Sequence, residues 1–534
     1  MSAHPASHQP ATVANDRPVV LIDQHVSLAD FATVAGGRAQ LGLDPAAEIR
    51  LDLARQRLQT CIDANAVVYG ITTGFGPLAN REISAASVVT LQRNLIYHLA
   101  SGVGPLYPWV EARAIVLARL VSNLQGWSGA SSAMLDAMVA LLNSDLAPCI
   151  PQKGTVGASG DLTPCAHMAL ALMGEGTFMT PTGQVLAGPI GLARIGRAPH
   201  RLDDRDGLAL VNGTSAMTAV AALTSVSAAR AIAWSVALTG LHAEVMRGHA
   251  EAWSPAFGRA RPHPGQIAAH TRLNARIAGS GWVDHGRAAS RRATDTATIL
   301  THALAPQDPY TIRCAPQIIG AVLDVLAFHD GVVEIELNAA TDNPIFEEDA
   351  PFALHGGNFY GQHVGFASDA LAPALVKLAI LAERQIARIT DETLSQGLPA
   401  FLQPRDTGLQ SGFMGAQVTA SALVAELRTH LIPASVQSIP TNGNNQDVVS
   451  MGTIAARKTR ALLPDLARIQ AIQALALAQA AELRQSAIGA GLSAQGLALV
   501  AQVRAIAAPL IDDRPLSADI EAVAEMLAAA DPSG

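Results

Sequence analysis

Long apolar stretches with helical spacing constrain the fold of this chain more than any other feature. Residues 214–246, 360–389 and 447–485 carry apolar side chains on more than one face of a helix. Such helices have to be covered on several sides, as in the middle of a bundle. Arg230 and Glu244 interrupt the first stretch, which favours a buried helix over a membrane span. The sequence therefore predicts a mainly α-helical fold with a long central bundle.

Shorter segments with the same period predict further helices at 51–65, 84–100, 109–124, 131–143, 162–173, 315–338, 411–430, 493–507 and 518–529. Loops rich in Gly and Pro separate them at 68–80, 147–160, 306–316, 338–361 and 433–446. A boundary near Asn212 divides a loop-rich N-terminal domain, 20–211, from the bundle and C-terminal helices, 212–534. Residues 1–19 read as a mobile lead-in without an export signal.

Composition limits the class of partner. Of the 534 residues 49% are hydrophobic and only 15% are charged, so we expect much of the surface to be covered by other subunits. The net charge of −8, without a basic cluster, argues against nucleic acid as a partner. The four cysteines show neither metal spacing nor a disulfide framework, which fits reduced thiols in a cytoplasm.

The tripeptide Ala158-Ser159-Gly160 can make an electrophile from its own backbone. If the loop bends tightly, the amide nitrogen of Gly160 attacks the carbonyl carbon of Ala158, and loss of two waters, the second at Ser159, leaves a methylidene-imidazolone ring. Glycine permits the attack and the unusual backbone angles. Ordinary side chains supply acids, bases and nucleophiles but no comparable electron sink. Taken alone, the tripeptide is more readily interpreted as the start of the helix over 162–173, capped by Ser159 or Asp161.

Two other loops suggest chemistry from their residues. The glycine-interrupted loop 68–76 contains Tyr69 but no phosphate-binding fingerprint, so we discount a nucleotide. A phenol has an ordinary pKa of about 10, so a tyrosine in such a loop acts readily as a base only beside positive potential. Taken alone, Tyr69 is more readily interpreted as a tyrosine packed in a turn. Arg313 lies in a Pro-bounded loop, and its guanidinium fork suits a carboxylate. His355 and His363 have no acidic or cysteine partner at ligand spacing, so no metal site is predicted.

The run Gly154-Thr155-Val156-Gly157-Ala158-Ser159-Gly160-Asp161-Leu162-Thr163-Pro164, followed by His167, resembles the aromatic amino acid ammonia-lyase family of histidine, phenylalanine and tyrosine ammonia-lyases and related aminomutases. The resemblance extends from about Val20 to near the C-terminus and is nearest to bacterial tyrosine-specific members. It implies the histidine ammonia-lyase-like fold, a methylidene-imidazolone formed from Ala158-Ser159-Gly160, and neither metal nor dissociable cofactor. It also implies a homotetramer whose active sites combine loops of several subunits.

The resemblance assigns the site residue by residue. The catalytic residues it implies are Tyr69 as the base, Ala158, Ser159, Gly160, Asn212 and Tyr310. The substrate-binding residues it implies are Gly76, His98, Leu99, Leu162, Arg313, Asn343, Phe359, Asn445 and Gln446. Asn212 also reads as a helix N-cap, a role compatible with the first. Gly443-Asn444 and Pro440 depart from the residues expected in this family.

The pair His98-Leu99 matches the position where the family reads the ring of its substrate. Tyrosine-preferring members carry His-Leu there, phenylalanine-preferring ones Phe-Leu and histidine-preferring ones Ser-His. An imidazole can exchange a hydrogen bond with a para-hydroxyl group, whereas phenylalanine would leave a buried polar group unpaired. The hypothesis is therefore elimination of ammonia from L-tyrosine to give trans-p-coumarate, with phenylalanine a poorer substrate.

Several alternatives stay open. A phenylalanine or histidine ammonia-lyase would use the same electrophile, as would a tyrosine 2,3-aminomutase that adds the ammonia back, and only product analysis excludes the aminomutase. A catalytically inactive helical assembly protein would leave the tripeptide linear. A fumarase-like lyase would carry a differently composed glycine-rich loop, which the sequence does not show.

Overall fold

The computed structural model describes residues 17–22, 25–285, 307–348, 350, 352–405, 408–488 and 491–532. Of the predicted lead-in 1–19, residues 1–16 lie outside this part of the chain. Long helices dominate and strands are short, so the predicted mainly α-helical fold is confirmed.

The chain forms two compact units that are not continuous in sequence. Unit 1 comprises the chain up to Gly154, Thr163–Val211 and Asp342–Gly356. Unit 2 comprises Thr155–Leu162, Asn212–Thr341 and the chain from Gly357 onward. One change of unit falls between Val211 and Asn212, where the sequence suggests a boundary. The loop with Ser159 was assigned to the N-terminal domain but belongs to unit 2, because its backbone is hydrogen-bonded to Gly213 and Met451.

Unit 1 combines short helices with small sheets. Its helices are α1 (Leu28–Ala35), α2 (Pro45–Asp63), α3 (Val88–Leu99), α4 (Trp109–Leu124), α5 (Ser132–Leu142), α6 (Leu162–Leu172, whose first residue belongs to unit 2), α7 (Gly188–Arg194) and α8 (Asp206–Val211). Its strands are β1 (Val19–Ile22), β2 (Gln40–Leu43), β3 (Val103–Leu106), β4 (Ala147–Pro148), β5 (Pro151–Lys153), β6 (Thr177–Met179) and β7 (Val185–Ala187). Strands β1 and β2 pair in parallel, β3 pairs with β5 antiparallel, and β4, β6 and β7 form an antiparallel sheet.

A buried arginine closes helix ends in unit 1. Arg113, on α4, is fully buried and donates to backbone oxygens at the ends of α1 and α5 and just beyond, those of Val34, Ala35, Leu141, Leu142, Ser144 and Leu146. Carbonyls in the last turn of a helix have no partner within that helix, and a cation there is favourable. Burial lowers the pKa of Arg113 to about 10, so it remains charged at neutral pH.

Unit 2 is a helical bundle. Its helices are α9 (Ser215–Val245), α10 (Pro255–Ala260), α11 (Pro264–Arg276), α12 (Tyr310–Arg313), α13 (Ala315–Leu337), α14 (Gln362–Thr390), α15 (Met414–Thr429), α16 (Gly452–Ala461), α17 (Leu463–Ile488), α18 (Ala494–Arg504) and α19 (Ser517–Ala529). One large apolar core runs through it and contains Trp234 and Leu238 of α9, Leu375 of α14 and Ile469 of α17. The core explains why α9 is apolar all round.

One predicted helix is interrupted near a proline. The stretch 447–485, expected as one helix, begins only at Gly452 and is divided at Leu462 into α16 and α17. Pro464 has no N–H to donate to the carbonyl of Arg460, which interrupts the helical ladder there. Helices α1, α7, α8, α10, α11 and α12 lie outside the predicted helical segments. Five of them have eight residues or fewer, and α11 has few large apolar side chains.

Three apolar helical stretches, Ser215–Val245, Gln362–Thr390 and Gly452–Ser486, are long enough to cross a bilayer by length and composition alone. In each, 67% of the apolar window is buried inside the protein. This burial fits the buried role that the sequence suggests for 214–246.

Candidate active site

In unit 1, Tyr69 is held in a tight glycine-containing loop. Its phenol oxygen accepts a hydrogen bond of 2.7 Å from the backbone N–H of Gly76, and its own N–H donates to His355 Nε2 at 3.1 Å. The rings of Tyr69 and Phe75 meet edge to face, with centroids 5.9 Å apart. Gly70 has a φ of +74°, and a Cβ there would lie 2.5 Å from Phe75 Cε1. The glycine at 70 thus permits close packing around the phenol.

The environment of Tyr69 acts on its pKa in both directions. Burial, the largest influence, raises the pKa above its ordinary value of 10.0, while the Gly76 N–H and the positive charge of Arg205 lower it. The positive potential expected from the sequence is present, but burial outweighs it. A basic phenolate therefore forms only at alkaline pH, and once formed it is a strong base.

Asn343 is positioned by a buried ion pair. The fully buried Arg205 donates to Asp342 Oδ2 at 2.8 Å and to the carbonyl of Pro344 at 3.2 Å. The other oxygen of Asp342 accepts from the N–H of Asn343 at 2.7 Å. The Asn343 side-chain oxygen accepts from Gly356 N at 2.6 Å, so any hydrogen bond to a substrate carboxylate has to come from Nδ2. Arg205 was missed because a buried arginine has no local sequence signature.

The Asn343 and Tyr69 sites are connected through one loop. Gly356, which binds the Asn343 side chain, directly follows His355, which binds the Tyr69 backbone. Burial lowers the pKa of His355, which suits the neutral, acceptor form seen here. Asn343, Tyr69 and, through the phenol oxygen, Gly76 therefore belong to one hydrogen-bonded set.

Helix α3 carries His98 and Leu99 at its C-terminal end. His98 is exposed in the single chain and not buried as the sequence argument assumes, and its Nδ1 lies 3.1 Å from the carbonyl oxygen of Asn94. A carbonyl can only accept, so Nδ1 carries the proton, and Nε2 of the neutral ring is an acceptor suited to a phenolic hydroxyl. On the same helix the buried Gln92 donates to the carbonyl of Gly70 at 2.7 Å and thereby ties α3 to the Tyr69 loop. Sequence reasoning missed Gln92.

In unit 2, Ala158-Ser159-Gly160 lies in a tight, crowded bend. Gly160 has a φ of +69°, and a Cβ there would lie 2.1 Å from the carbonyl oxygen of Gly213. Gly157 has a φ of +70°, and a Cβ there would lie 2.4 Å from Ser450 Oγ. The bend is fixed by hydrogen bonds from Asp161 N to Gly213 O at 2.7 Å and from Met451 N to Val156 O at 2.9 Å. Both glycines are therefore required by space as well as by backbone angle.

The residues of this bend fit ring closure. Gly160 has no side chain to hinder its amide and adopts a left-handed conformation, the two properties the cyclisation demands. Ala158 is a small flank packed against a cluster that contains Val449 and Met451. The Ser159 hydroxyl oxygen, which would leave in the predicted ring closure, accepts a long hydrogen bond of 3.4 Å from Gln446 Nε2.

The side chain of Asp161 binds the first turn of helix α9. The N-cap of α9 is Thr214, so the interpretation of Asn212 as an N-cap is wrong. The buried carboxylate of Asp161 accepts from the N–H of Met217 at 2.7 Å and from the Thr453 hydroxyl. Burial raises the pKa of Asp161 to about 6. Asp161, one of the two residues considered as a cap of the helix that follows it, binds the first turn of α9.

The buried Asn212 lies beside the bend, because the neighbouring Gly213 forms a bridge with Gly160. Gln446 lies at the end of a turn closed by paired backbone bonds with Thr441. Asn442, Gly443 and Asn444 have φ values of 54°, 62° and 63°, and Asn and Gly adopt this left-handed conformation most readily. The unexpected Gly443-Asn444 pair is thus explained by the shape of the turn. Asn445 is exposed on the same turn.

Tyr310 and Arg313 share the short helix α12. The Arg313 guanidinium carbon lies 4.5 Å from the centre of the Tyr310 ring, and Tyr310 is 67% exposed. Within the part of the chain that is described, Arg313 Nε is buried without a hydrogen-bond partner. A guanidinium held against a ring and left short of acceptors is suited to a carboxylate.

Leu162 and Phe359 are both half-buried at the starts of helices. Leu162 begins α6 directly after the bend, and Phe359 precedes α14 beside Asn358, whose amide donates to Ala340 O at 2.7 Å. Among the described residues, no group of three His, Cys, Asp or Glu side chains could hold a metal ion.

Comparison with known proteins gives consistent matches over nearly the whole chain. The family model for aromatic amino acid lyases matches residues 26–523. A tyrosine ammonia-lyase of Cereibacter sphaeroides is 54% identical over 512 residues, covering 96% of this chain and 98% of that protein. A histidine ammonia-lyase of Gloeobacter violaceus is 40% identical, covering 96% of each chain. The crystal structure of a tyrosine aminomutase from Streptomyces globisporus superposes with a TM-score of 0.89 at 38% identity, covering 96% of this chain and 97% of that one.

Proposed function

The chain belongs to the aromatic amino acid lyase family, and on this basis we propose that it converts L-tyrosine into trans-p-coumarate and ammonia. The enzyme is a carbon–nitrogen lyase. His98 carries the choice of substrate, because its Nε2 is an acceptor for a phenolic hydroxyl at the end of a helix tied to the Tyr69 loop. The 54% identity to a tyrosine ammonia-lyase supports the same substrate.

Members of this family use a methylidene-imidazolone electrophile, and we propose that Ala158-Ser159-Gly160 forms it here. When present, the group supplies an electron sink that makes the substrate nitrogen a good leaving group. The left-handed Gly160 and the absence of room for a side chain there support this assignment.

The other residues bind the substrate and move its proton. Arg313 and Asn343 Nδ2 bind the carboxylate, and His98 accepts from the para-hydroxyl group. The phenolate oxygen of Tyr69 takes a proton from the β-carbon, the electron pair of that C–H bond forms the C=C bond, and the C–N bond breaks. The Gly76 N–H, 2.7 Å from the same oxygen, stabilises its charged form before the transfer. Leu99, Leu162 and Phe359 provide apolar contact for the ring.

We also propose a homotetramer with shared active sites. Large apolar side chains are exposed on the long helices of the single chain, including Phe328 at 52% and Ile335 at 74% on α13 and Val418 at 59% on α15. Covering them in an assembly removes apolar surface from water. Light scattering measures the number of subunits directly.

Product analysis tests the proposed reaction. The purified enzyme is incubated in parallel with L-tyrosine, L-phenylalanine and L-histidine, and the products are identified by chromatography and mass spectrometry. We expect trans-p-coumarate as the main product and less cinnamate. Predominant β-tyrosine would establish the aminomutase instead, and urocanate as the main product would contradict the role of His98.

Replacing His98 by phenylalanine is expected to shift the preference from tyrosine to phenylalanine. The variant loses the acceptor for the para-hydroxyl group, and the ratio of kcat/KM values for the two substrates should change by roughly 10- to 100-fold. His430→Phe, at an exposed histidine on the end of α15, is the matched control. An unchanged ratio in His98→Phe would show that selectivity lies elsewhere.

A further inference from the structure

A buried carboxylate secures the segment that carries Arg313. Asp308 precedes α12, and both of its oxygens are bonded to a single residue, His249. The backbone N–H of His249 donates to Oδ2 at 2.7 Å, and its Nδ1 lies 3.0 Å from Oδ1. Because a carboxylate only accepts, Nδ1 is the donor. His249 lies just beyond the end of α9, so this contact anchors the segment to the longest helix of the bundle.

The backbone of α12 is fixed at two more points. Trp253 Nε1 donates to the carbonyl of Ile312 at 2.8 Å, and Gln385 Nε2 donates to that of Thr311 at 2.9 Å. Packing here is close, because a Cβ on Gly248 would lie 3.2 Å from Ile312 Cγ2 and 3.4 Å from Asp308 Oδ2. These contacts hold the main chain and use neither the Tyr310 ring nor the Arg313 guanidinium.

We propose that Asp308 and His249 are positioning residues that aim Arg313 at the substrate carboxylate. A bidentate pair of guanidinium and carboxylate needs both planes aligned, so a small tilt of a four-residue helix weakens it strongly. Of the three contacts that hold this segment, the one between Asp308 and His249 has two hydrogen bonds to a carboxylate. Hydrogen bonds to a charged group are stronger than those between neutral groups. This inference rests on the proposed function, since it assumes that Arg313 binds a carboxylate.

Two ligands separate this role from a general structural one. p-Coumarate and 4-vinylphenol share the phenol ring and the vinyl group, but only p-coumarate has a carboxylate. Replacing a residue that positions Arg313 should change the inhibition constant of p-coumarate and leave that of 4-vinylphenol unchanged. Replacing a residue that merely supports the fold should change both constants. Competitive inhibition of tyrosine turnover gives both constants.

Asp308→Asn keeps the size of the side chain but removes its charge. The new amide NH2 faces one of the two N–H donors of His249, so one of the two hydrogen bonds is lost. The inhibition constant of p-coumarate should rise about tenfold or more, while that of 4-vinylphenol stays within about twofold. The KM for tyrosine should rise as well. Equal changes for the two ligands, or no change for p-coumarate, would overturn the inference.

A second pair of variants serves if Asp308→Asn does not fold. His249→Leu removes the ring donor but keeps the backbone donor, and His249→Asn restores a side-chain donor near the position of Nδ1. We expect His249→Leu to weaken p-coumarate binding selectively and His249→Asn to recover most of it. Failure of His249→Asn to recover binding, together with loss of both ligands in His249→Leu, would show a structural role only.

Asp512→Asn is the control, because Asp512 is exposed and paired with Arg405 at the surface. It should leave both inhibition constants unchanged. The wild-type reaction distinguishes the two levels of proposal. Absence of p-coumarate formation in the wild type would contradict the proposed function, whereas normal wild-type turnover with unselective variants would contradict only the role of Asp308 and His249.

Discussion

Replacing Ser159 by alanine is expected to lower tyrosine elimination by at least about a thousandfold, because the hydroxyl that leaves during ring formation is gone and no other side chain supplies an electron sink. Assembly and thermal stability should change little, because the variant keeps the backbone hydrogen bonds that join this bend to Gly213 and Met451. Initial rates measure the loss. Intact mass reports the ring itself, because the wild-type chain should be lighter than its sequence by two waters and the variant should not.

Ser486→Ala is the matched control for this experiment. Ser486 is an exposed serine on α17 whose hydroxyl donates to the carbonyl of Glu482. This variant should keep the wild-type rate and the mass deficit. Full activity in Ser159→Ala, or a wild-type chain at its unmodified mass, would remove the electrophile from the mechanism.

Replacing Tyr69 by phenylalanine is expected to reduce kcat by roughly 10²- to 10⁴-fold while KM changes little, because a general base acts in the transition state more than in binding. The aromatic contact with Phe75 is kept in the variant, so the loop should remain folded. Tyr97→Phe, at a tyrosine that is 44% exposed, is the control and should retain full activity. A fast Tyr69→Phe enzyme would exclude Tyr69 as the base.

The pH profile gives a second readout for the same residue. Burial raises the pKa of Tyr69 above 10.0, and only the deprotonated phenol can take the proton. The wild-type rate should therefore rise with pH across the neutral and alkaline range, by up to about tenfold per unit while proton transfer limits the rate. Phenylalanine as substrate should show the same rise, since its ring has no hydroxyl group to titrate. A profile that is flat from neutral to alkaline pH would contradict the assignment.

Helical periodicity was sufficient to predict the long elements of the fold. Helices α9, α13 and α14 fall within two residues of the predicted segments, because long helices buried on several sides leave an unambiguous pattern. The break at Leu462 was missed even though Pro464 marks it, since apolar spacing continues across the proline. The membership of residues 155–162 in unit 2 could not be predicted, because it depends on contacts with Gly213 and Met451 far along the chain.

The residues of the candidate site also fall into two groups, those that the sequence could predict and those that it could not. Residues that carry chemistry lie in loops with distinctive composition, and the structure places Ser159 beside Gln446 and links Tyr69 with Asn343. Residues that hold them in place gave no signal. Arg205 and Gln92 lie in ordinary helical or loop sequence, and their importance follows only from buried partners. A buried ion pair or amide is defined by what surrounds it, and one sequence does not contain that information.

The partners of the bend around Ser159 place a constraint on biosynthesis. Gly213 follows it within about sixty residues, but Gln446, Met451 and Thr453 are translated nearly three hundred residues later. The complete set of contacts around this bend can form only after most of the polypeptide has emerged from the ribosome. We therefore expect the proposed ring to form only after this part of the chain has been synthesised, and a chain truncated before residue 446 to keep its unmodified mass.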